Sequence, residues 1–434
     1  METDTLSLLV AGGIVLFFIV AGLNIGVGLG IAGVVGTAIF NGNWQSGMTL
    51  PVFQSQDVGT AYMLLVIPLF IAMGTLAGVS KITTDLFTAC YRWLGWVPGG
   101  VAVTTIGAGA MMSAIAGSTM AVSAAMARIA MPELVRYNYD KRLSLGSIAM
   151  GGTLAIMIPP SVTLVLYALF AEQSVGKLLI AGVVPGLMLA GMYIVLIIVR
   201  CRLNPKLGPA GPHFSWRDRF SALPSVLPFV GVVLSIVVGI LAGIFTPVES
   251  AAIAVVIVTL ICIWRRTLTW ALFFEALLDA VLVSASVILI VIGSMVFSNF
   301  LALSGFTATV TKWVADAQFS APVLIMFFVV LYLILGCLME TTSILALTVP
   351  TAVPMIVAVG LDPIWFGVIV VCLMEVGAVT PPVGLNLFVV KASIPEASIM
   401  DISFGSAPFW AVNIFAILIM YLFPGIATWL PSLM

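Results

Sequence analysis

The segment Val-Thr-Pro-Pro-Val-Gly-Leu-Asn at 379–386 sits inside an apolar run that continues on both sides of it. Two adjacent prolines remove two backbone donors, and each ring clashes with the turn before it, so no helix passes through them intact. The surroundings make this break consequential. The 434-residue chain is 62% hydrophobic and 8% charged, where soluble domains carry about 25% charged residues. The long runs exceed a barrel strand and lack period-two alternation, which predicts an all-α integral membrane protein. At membrane depth, each backbone group freed by a helix break costs several kcal/mol unless something satisfies it.

Other function classes find little support. The net charge is -1, with no basic patch of the nucleic-acid type. The five cysteines (90, 201, 262, 337, 372) form no CxxC, and the single histidine, His213, lies in a polar loop. Metal-ligand clusters and nucleophile–base sets therefore lack their residues. The first apolar run starts near Leu6, after Glu2 and Asp4 and without a basic n-region, and reads as a retained span.

Full crossings are expected near 6–23, 25–42, 58–79, 143–172, 177–200, 223–243, 247–264, 280–303, 363–394 and 402–423. Two further stretches, about 99–131 and 321–359, are interrupted midway by "AGSTM" (116–120) and "METTS" (339–343). Their halves are short for a spanning helix of ~20 residues, so each reads as a re-entrant hairpin; two ordinary crossings are the alternative. With ten crossings and two hairpins, 14 Lys and Arg fall on one side, and only Lys177 and Lys312 on the other. The rich side is then cytoplasmic and both termini lie outside. Residues 81–97 and 306–314 carry apolar residues at helical spacing, as interfacial helices or as helices packed on their neighbours.

A shift of 222 residues aligns Pro159-Pro160 with Pro381-Pro382, Pro132 with Pro354, Asp140 with Asp362, and Thr119 in one hairpin tip with Thr341 in the other. Eight of the 42 positions from 119 to 160 are identical, without a gap. Five crossings separate the repeat starts, an odd number, so the copies are inverted. Inverted repeats with broken helices mark secondary transporters. Unwound carbonyls and half-helix C-termini coordinate cations, and half-helix N-termini favour anions. Thr380 and Asn386 at one break, Ser161 and Thr163 at the other, and Ser118, Thr119, Thr341 and Thr342 at the tips supply oxygens. Such a set suits a hard cation such as Na⁺.

"IPLFIAMGTLAGVS" (67–80), "MMSAIAGSTMAVSAAMARIAMPEL" (111–134), "GIFTPVESAA" (243–252) and "VTPPVGLNLFVV" (379–390) resemble the large, DctM-like membrane subunit of tripartite ATP-independent periplasmic (TRAP) transporters, within the ion transporter superfamily. The resemblance runs over nearly the whole chain. It implies a Na⁺-coupled, elevator-type importer of organic acids in the bacterial inner membrane. C4-dicarboxylates, sialic acid, other sugar acids and keto acids all suit the family. A separate small four-helix membrane subunit and a periplasmic solute-binding protein would be its partners. By position, one sodium site would involve Gly117, Ser118 and Thr119 with Pro159, Pro160 and Ser161. The other would involve Glu340, Thr341 and Thr342 with Thr380, Pro381, Gly384 and Asn386, so two or more Na⁺ are implied. Substrate would lie between them, at Ser118, Thr119, Ser161, Thr342 and Asn386. The family's pattern has Asp where this chain has Glu340, which leaves that residue's role open.

The domain reading follows: scaffold helices at 1–57; a first inverted repeat at 58–200; a cytoplasmic basic loop at 201–222; scaffold helices and a connecting arm at 223–279; and a second repeat at 280–434. Glu249 fits a capping box with Thr246 and Pro247. Glu375 either orients the broken helix or joins in ion coupling. The rival readings are a stand-alone Na⁺/dicarboxylate symporter or a cation/proton antiporter of the same superfamily, a passive channel, and an intramembrane hydrolase, which lacks its residues. The chain is read as a transporter and not an enzyme.

Overall fold

A computed structural model describes residues 2–80, 82–381 and 384–434, with side chains from Thr5 onward. Lys81 of the basic side, Pro382 and Val383 of the second break, and the side chains of Glu2 and Asp4 lie outside the described residues. In chain order the helices are α1 (Glu2–Val20), α2 (Ile25–Phe40), α3 (Trp44–Thr60), α4 (Val66–Val79), α5 (Ile82–Leu94), α6 (Gly100–Ala116), α7 (Thr119–Arg136), α8 (Lys141–Thr153), α9 (Val162–Phe170), α10 (Val175–Ala181) and α11 (Val183–Leu203). There follow α12 (Trp216–Ser221), α13 (Leu223–Leu241), α14 (Pro247–Trp264), α15 (Trp270–Leu303), α16 (Phe306–Asp316), α17 (Ala321–Leu338), α18 (Thr341–Ala358), α19 (Pro363–Gly377), α20 (Leu385–Ser393), α21 (Ile399–Leu422) and α22 (Gly425–Thr428). The chain is a multi-pass helical membrane protein.

The 222-residue shift holds element by element. Added to the limits of α7 it gives 341–358, the limits of α18, and α8 begins at 141 where α19 begins at 363. The aligned aspartates do the same work. Asp140 caps α8 by accepting the Leu143 N–H at 2.9 Å, and Asp362 caps α19 through Ile364 and Trp365, at 2.7 and 3.0 Å. Each cap satisfies donors that the helix start leaves free.

Both hairpins close on themselves. Tyr139, just beyond α7, accepts from Val101 N–H at the start of α6 at 3.0 Å and donates to Pro209 O at 2.6 Å, so the two feet of the first hairpin meet. In the second, Tyr332 and Thr348 bond at 2.9 Å across α17 and α18, each eight residues from the tip at 340. Length alone would have misled here. Its arms, α17 and α18, have 18 residues each and are apolar enough to span, contrary to the expectation that they are too short. Antiparallel pairing around the tip, not length, makes them a hairpin.

The hairpins enter from opposite ends of α21. At its start, Asp401 pairs with Lys141 (3.0 Å) and Arg142 (3.6 Å), beside the first hairpin's feet. At its end, Met420 O accepts from Trp365 Nε1 at 2.9 Å, beside the second hairpin's exit into α19. The first end also gathers the basic side. Arg92 donates to Ser221 Oγ at 2.8 Å, Arg265 pairs with Asp85, and Trp93 donates to Arg219 O at 3.1 Å. In the same layer the Ser215 hydroxyl donates to Asp218 at 2.6 Å and holds its carboxyl below the usual carboxylate range.

Three further features depart from the sequence reading. The crossing placed at 58–79 begins at 62; residues 58–60 belong to α3, a polar-rich helix that was not expected and that Asn43 caps through Gln45 N–H. Its Gln and Ser residues hide it from hydropathy. Second, α15 is one 34-residue helix that runs through the boundary placed at 279–280. At 1.5 Å per residue it is about 51 Å long, more than the ~30 Å hydrocarbon core. Third, α5 buries Ile82, Leu86 and Cys90 as its stripe required, but its Trp93 end packs on Trp216 and Phe220, so part of its apolar face meets protein.

Close backbone contact joins α8 to α21. A Cβ on Gly146 would collide with the Gly405 carbonyl, and one on Gly405 with the Arg142 carbonyl. Small residues let membrane helices approach in this way. Gly146→Val is expected to destabilise the fold by about 1–3 kcal/mol through overpacking. Gly191→Ala, in α11 with open space around it, is expected to be neutral or to stabilise by about 0.5–1 kcal/mol. Apparent melting temperatures in detergent check both.

Candidate functional site

The first break lies between α8 and α9. A short 3₁₀ turn, Leu154–Ile156, ends the helix, and residues 157–161 run unwound, fully buried. The Pro159–Pro160 bond is cis. Among the described residues, no donor is hydrogen-bonded to the carbonyls of Met157, Ile158, Pro159 or Pro160. Four buried carbonyls thus stand free where a continuous helix would have used them. Ser161 is committed elsewhere: it donates to Ile156 O at 2.6 Å and accepts from Leu164 N–H at 3.3 Å, capping α9. The structure therefore gives Ser161 a structural bond at the position expected to hold ion or substrate.

The first hairpin tip faces this break. Gly117 ends α6 in the left-handed conformation at φ 57°, and a Cβ there would lie 3.2 Å from Pro160 O. Gly117 thus combines a turn and a close approach that suit glycine alone. Ser118 caps α7 by accepting from Ala121 N–H at 3.5 Å and stays exposed; Thr119 opens α7, half-buried. The structure brings Gly117 and Pro160 together.

At the second break, α19 ends at Gly377 and α20 starts at Leu385. The Thr380 hydroxyl turns back to Val376 O at 2.6 Å, and Pro381 follows in the unwound stretch. Gly384, at φ 46°, lies against the Thr380 carbonyl; a Cβ there would be 2.8 Å from it. Asn386 is 1% exposed. Its Nδ2 donates across the repeats to Ala149 O in α8 at 2.8 Å, while its Oδ1 is buried with no partner among the described residues. The bond to Ala149 had no signal in the sequence, since 237 residues separate the two groups.

The second tip is Met339–Glu340, with Glu340 at the N-cap position of α18. Thr342 donates to Glu340 Oε1 at 3.4 Å and is largely buried; Thr341 is half-buried. A cavity of about 250 Å³ opens beside this tip, lined by Asn24, Leu338, Met339, Glu340, Ser343 and Leu385 among others. It joins the tip to the start of α20 and to the α1–α2 turn. Gly336 in α17 meets Gly377 at the edge of the break, where a Cβ on Gly336 would be 2.8 Å from the Gly377 Cα.

Among the described residues no three His, Cys, Asp or Glu converge on a metal position. The chemistry on offer is neutral oxygen: free carbonyls, hydroxyls and the Asn386 amide, with one carboxylate at a tip. This donor set suits a hard, weakly held monovalent cation better than a transition metal. Glu249, by contrast, is structural. Its Oε2 accepts from Thr246 N–H at 2.8 Å, and its own N–H reaches Thr246 Oγ1 at 3.3 Å, the capping box read from sequence.

The sequence profile of the tripartite ATP-independent periplasmic transporter DctM component matches residues 13–426. A C4-dicarboxylate TRAP transporter large permease protein DctM of Pseudomonas aeruginosa is 32% identical over 368 residues, 84% of each chain. An isethionate TRAP transporter permease protein DctMQ of Oleidesulfovibrio alaskensis is 30% identical over 94% of this chain and 64% of its own length. Among solved structures, the YdaH transporter of Alcanivorax borkumensis shares the fold at TM-score 0.60 and 14% identity, covering 89% of this chain and 87% of the other. The sequence match spans both hairpins and both breaks, and the chain belongs to the DctM component family of tripartite ATP-independent periplasmic transporters.

Proposed function

We propose that the chain imports a small organic acid across the bacterial inner membrane, driven by Na⁺ and supplied by a periplasmic solute-binding protein. The observation that supports this most is the pairing of each helix break with a hairpin tip. Free buried carbonyls at the first break, and an unpartnered Asn386 Oδ1 at the second, want a polar guest at mid-membrane depth. Two Na⁺ sites are assigned to Gly117, Ser118 and Thr119 with the Met157–Pro160 carbonyls, and to Glu340, Thr341 and Thr342 with Thr380, Pro381, Gly384 and Asn386. Ser161 and Thr380 act mainly by holding backbone in place. Two relatives carry the names of anions, a C4-dicarboxylate and isethionate, and this favours an anionic substrate between the sites.

The hairpins and broken helices form the mobile unit of an elevator in this reading. Residues 1–57 and 223–279 form most of the scaffold and meet a small membrane subunit. Cation binding at a tip orders the substrate site beside it, so Na⁺ and substrate each raise the other's affinity. The basic face, with Arg92, Lys141, Arg142, Arg219 and Arg265, lies in the cytoplasm. Both termini are then periplasmic.

Proteoliposome uptake under an inward Na⁺ gradient tests this, with the chain, the small subunit and the binding protein omitted in turn. Uptake is expected to need all three and Na⁺. Asn386→Ala and Ser118→Ala are expected to raise the Na⁺ concentration for half-maximal uptake about tenfold each, about 1.4 kcal/mol. Uptake by this chain alone moves it to the stand-alone symporters, and three-part uptake without Na⁺ removes the cation assignment.

Orientation has its own check. A reporter enzyme active only in the periplasm, fused after Met434, is expected to be active. An inactive fusion that inserts normally inverts the assigned topology.

A further inference from the structure

Glu375 is the one acidic side chain that is buried among those described, at 0% exposure. It lies in α19, two residues before the Gly377 that meets the second hairpin. Three neutral groups surround it. Asn413 of α21 donates from Nδ2 to Glu375 Oε2 at 3.2 Å and to Tyr193 Oη at 3.1 Å. Tyr193 of α11 donates to the same Oε2 at 3.5 Å. Cys372, one turn earlier on α19, donates from Sγ to Asn413 Oδ1 at 2.9 Å. That last bond fixes which way the Asn413 amide points, so its N–H groups face the carboxyl.

Counting donors exposes the anomaly. The thiol, both amide N–H groups and the phenol are all spent, and Glu375 Oε1 still has no partner among the described residues. Among the described residues no Lys, Arg or His pairs with Glu375. A bare carboxylate here would be a full charge in an apolar interior with two neutral donors on one oxygen, and buried charges are otherwise paired. Neither of the two cavities at 55–68 and beside the second tip is lined by Glu375. A proton on the carboxyl removes the charge without a cation site.

We propose that the Glu375–Tyr193–Asn413 cluster is a proton-binding site, distinct from the oxygen-lined breaks, whose proton-loaded form is the transport-competent one. One proton from solvent binds one carboxylate oxygen and cancels one charge. The neutral acid keeps α19 packed on α11 and α21 and so holds the approach to the second break. The bare charge, formed as pH rises, pulls in water and loosens that packing. Tyr193 and Cys372 are the titratable groups facing the carboxyl. Tyr167 of α9 and Tyr332 of α17 lie toward the other end of α19, beside Pro363 and Phe366. Lys177 of α10 is exposed, and Glu340 lies in the cavity by the second tip.

The second half of this proposal rests on the transport reading; the first does not, and infrared spectroscopy reads it alone. Purified wild type at neutral pH is expected to show the carbonyl stretch of a protonated carboxyl, moved down in D₂O and missing from Glu375→Gln. Absence of the band from folded wild type overturns the proposal, as does its persistence in the variant. If Glu375→Gln does not fold, Tyr193→Phe serves: it removes one donor to the carboxyl and is expected to shift the band, and an unshifted band assigns it elsewhere and overturns the proposal. In the reconstituted three-part assay, wild-type uptake is expected to fall as pH is raised. Glu375→Gln, a permanent mimic of the neutral acid, is expected to keep the low-pH rate with no such fall. A folded variant that transports at no pH, or that keeps the wild-type profile, overturns the coupling.

Discussion

Every backbone polar group at membrane depth has to find a partner inside the protein, and this chain puts that account in question at two helix breaks. Water cannot settle it there, and an unsatisfied group costs several kcal/mol. Between α8 and α9 the carbonyls of 157–160 face no donor among the described residues. The rest of the architecture is arranged around the two openings. Each hairpin brings its tip to one of them. α21 runs between the two ends and ties the feet of one hairpin to the exit of the other through Asp401 and Met420. Glycines at 146 and 405 bring α21 against α8 backbone to backbone.

The two openings share a plan and differ in content. Ser161 spends its hydroxyl on its own cap, so the first break offers main-chain oxygen almost alone. The second adds a buried amide that also crosses to the first repeat. Asn386 reaches Ala149 O, yet the 222-residue shift takes Asn386 to Leu164 and Ala149 to Val371. A leucine cannot return that bond. This bond between the repeats is therefore unreciprocated: the equivalent residues offer no matching bond from α19 back to the first break.

Much of this was legible in the chain. The proline pairs and Asp140/Asp362 give the repeat because a helix break and an N-cap each demand particular residues at particular positions. All ten expected crossings have helical counterparts, and both tips fall within the interruptions at 116–120 and 339–343. The misses have physical causes. α3 is too polar for a hydropathy reading, and the N-terminal extension of α15 carries Glu275 and Asp279 but no Gly or Pro to stop the helix at the apolar run's edge. The site was legible only to the level of segments. Which oxygens are free depends on local bonds: nothing in "IPPSVT" says that Ser161 donates to Ile156 rather than to a guest. Contacts such as Tyr193–Asn413–Glu375 join residues up to 220 apart, although one Asn in the apolar run of α21 is itself a flag.

Where the polar side chains are spent says how the two halves divide their work. Glu375, Thr380 and Asn386 lie within twelve residues of the second repeat, and each ties the broken helix to something different. Glu375 holds α11 and α21, Thr380 its own preceding turn, and Asn386 α8 of the other repeat. At the first break Ser161 bonds within its own segment, and the tip meets the break through Gly117 against a carbonyl. Backbone contacts of that kind transmit shape and little charge. Side-chain ties to three neighbours transmit occupancy, because a cation, a proton or a lost hydrogen bond at any one of them changes what the others can hold. Helix breaks thus recur at equivalent positions of the two repeats, and side-chain bonds tie the second to α11, α21 and α8.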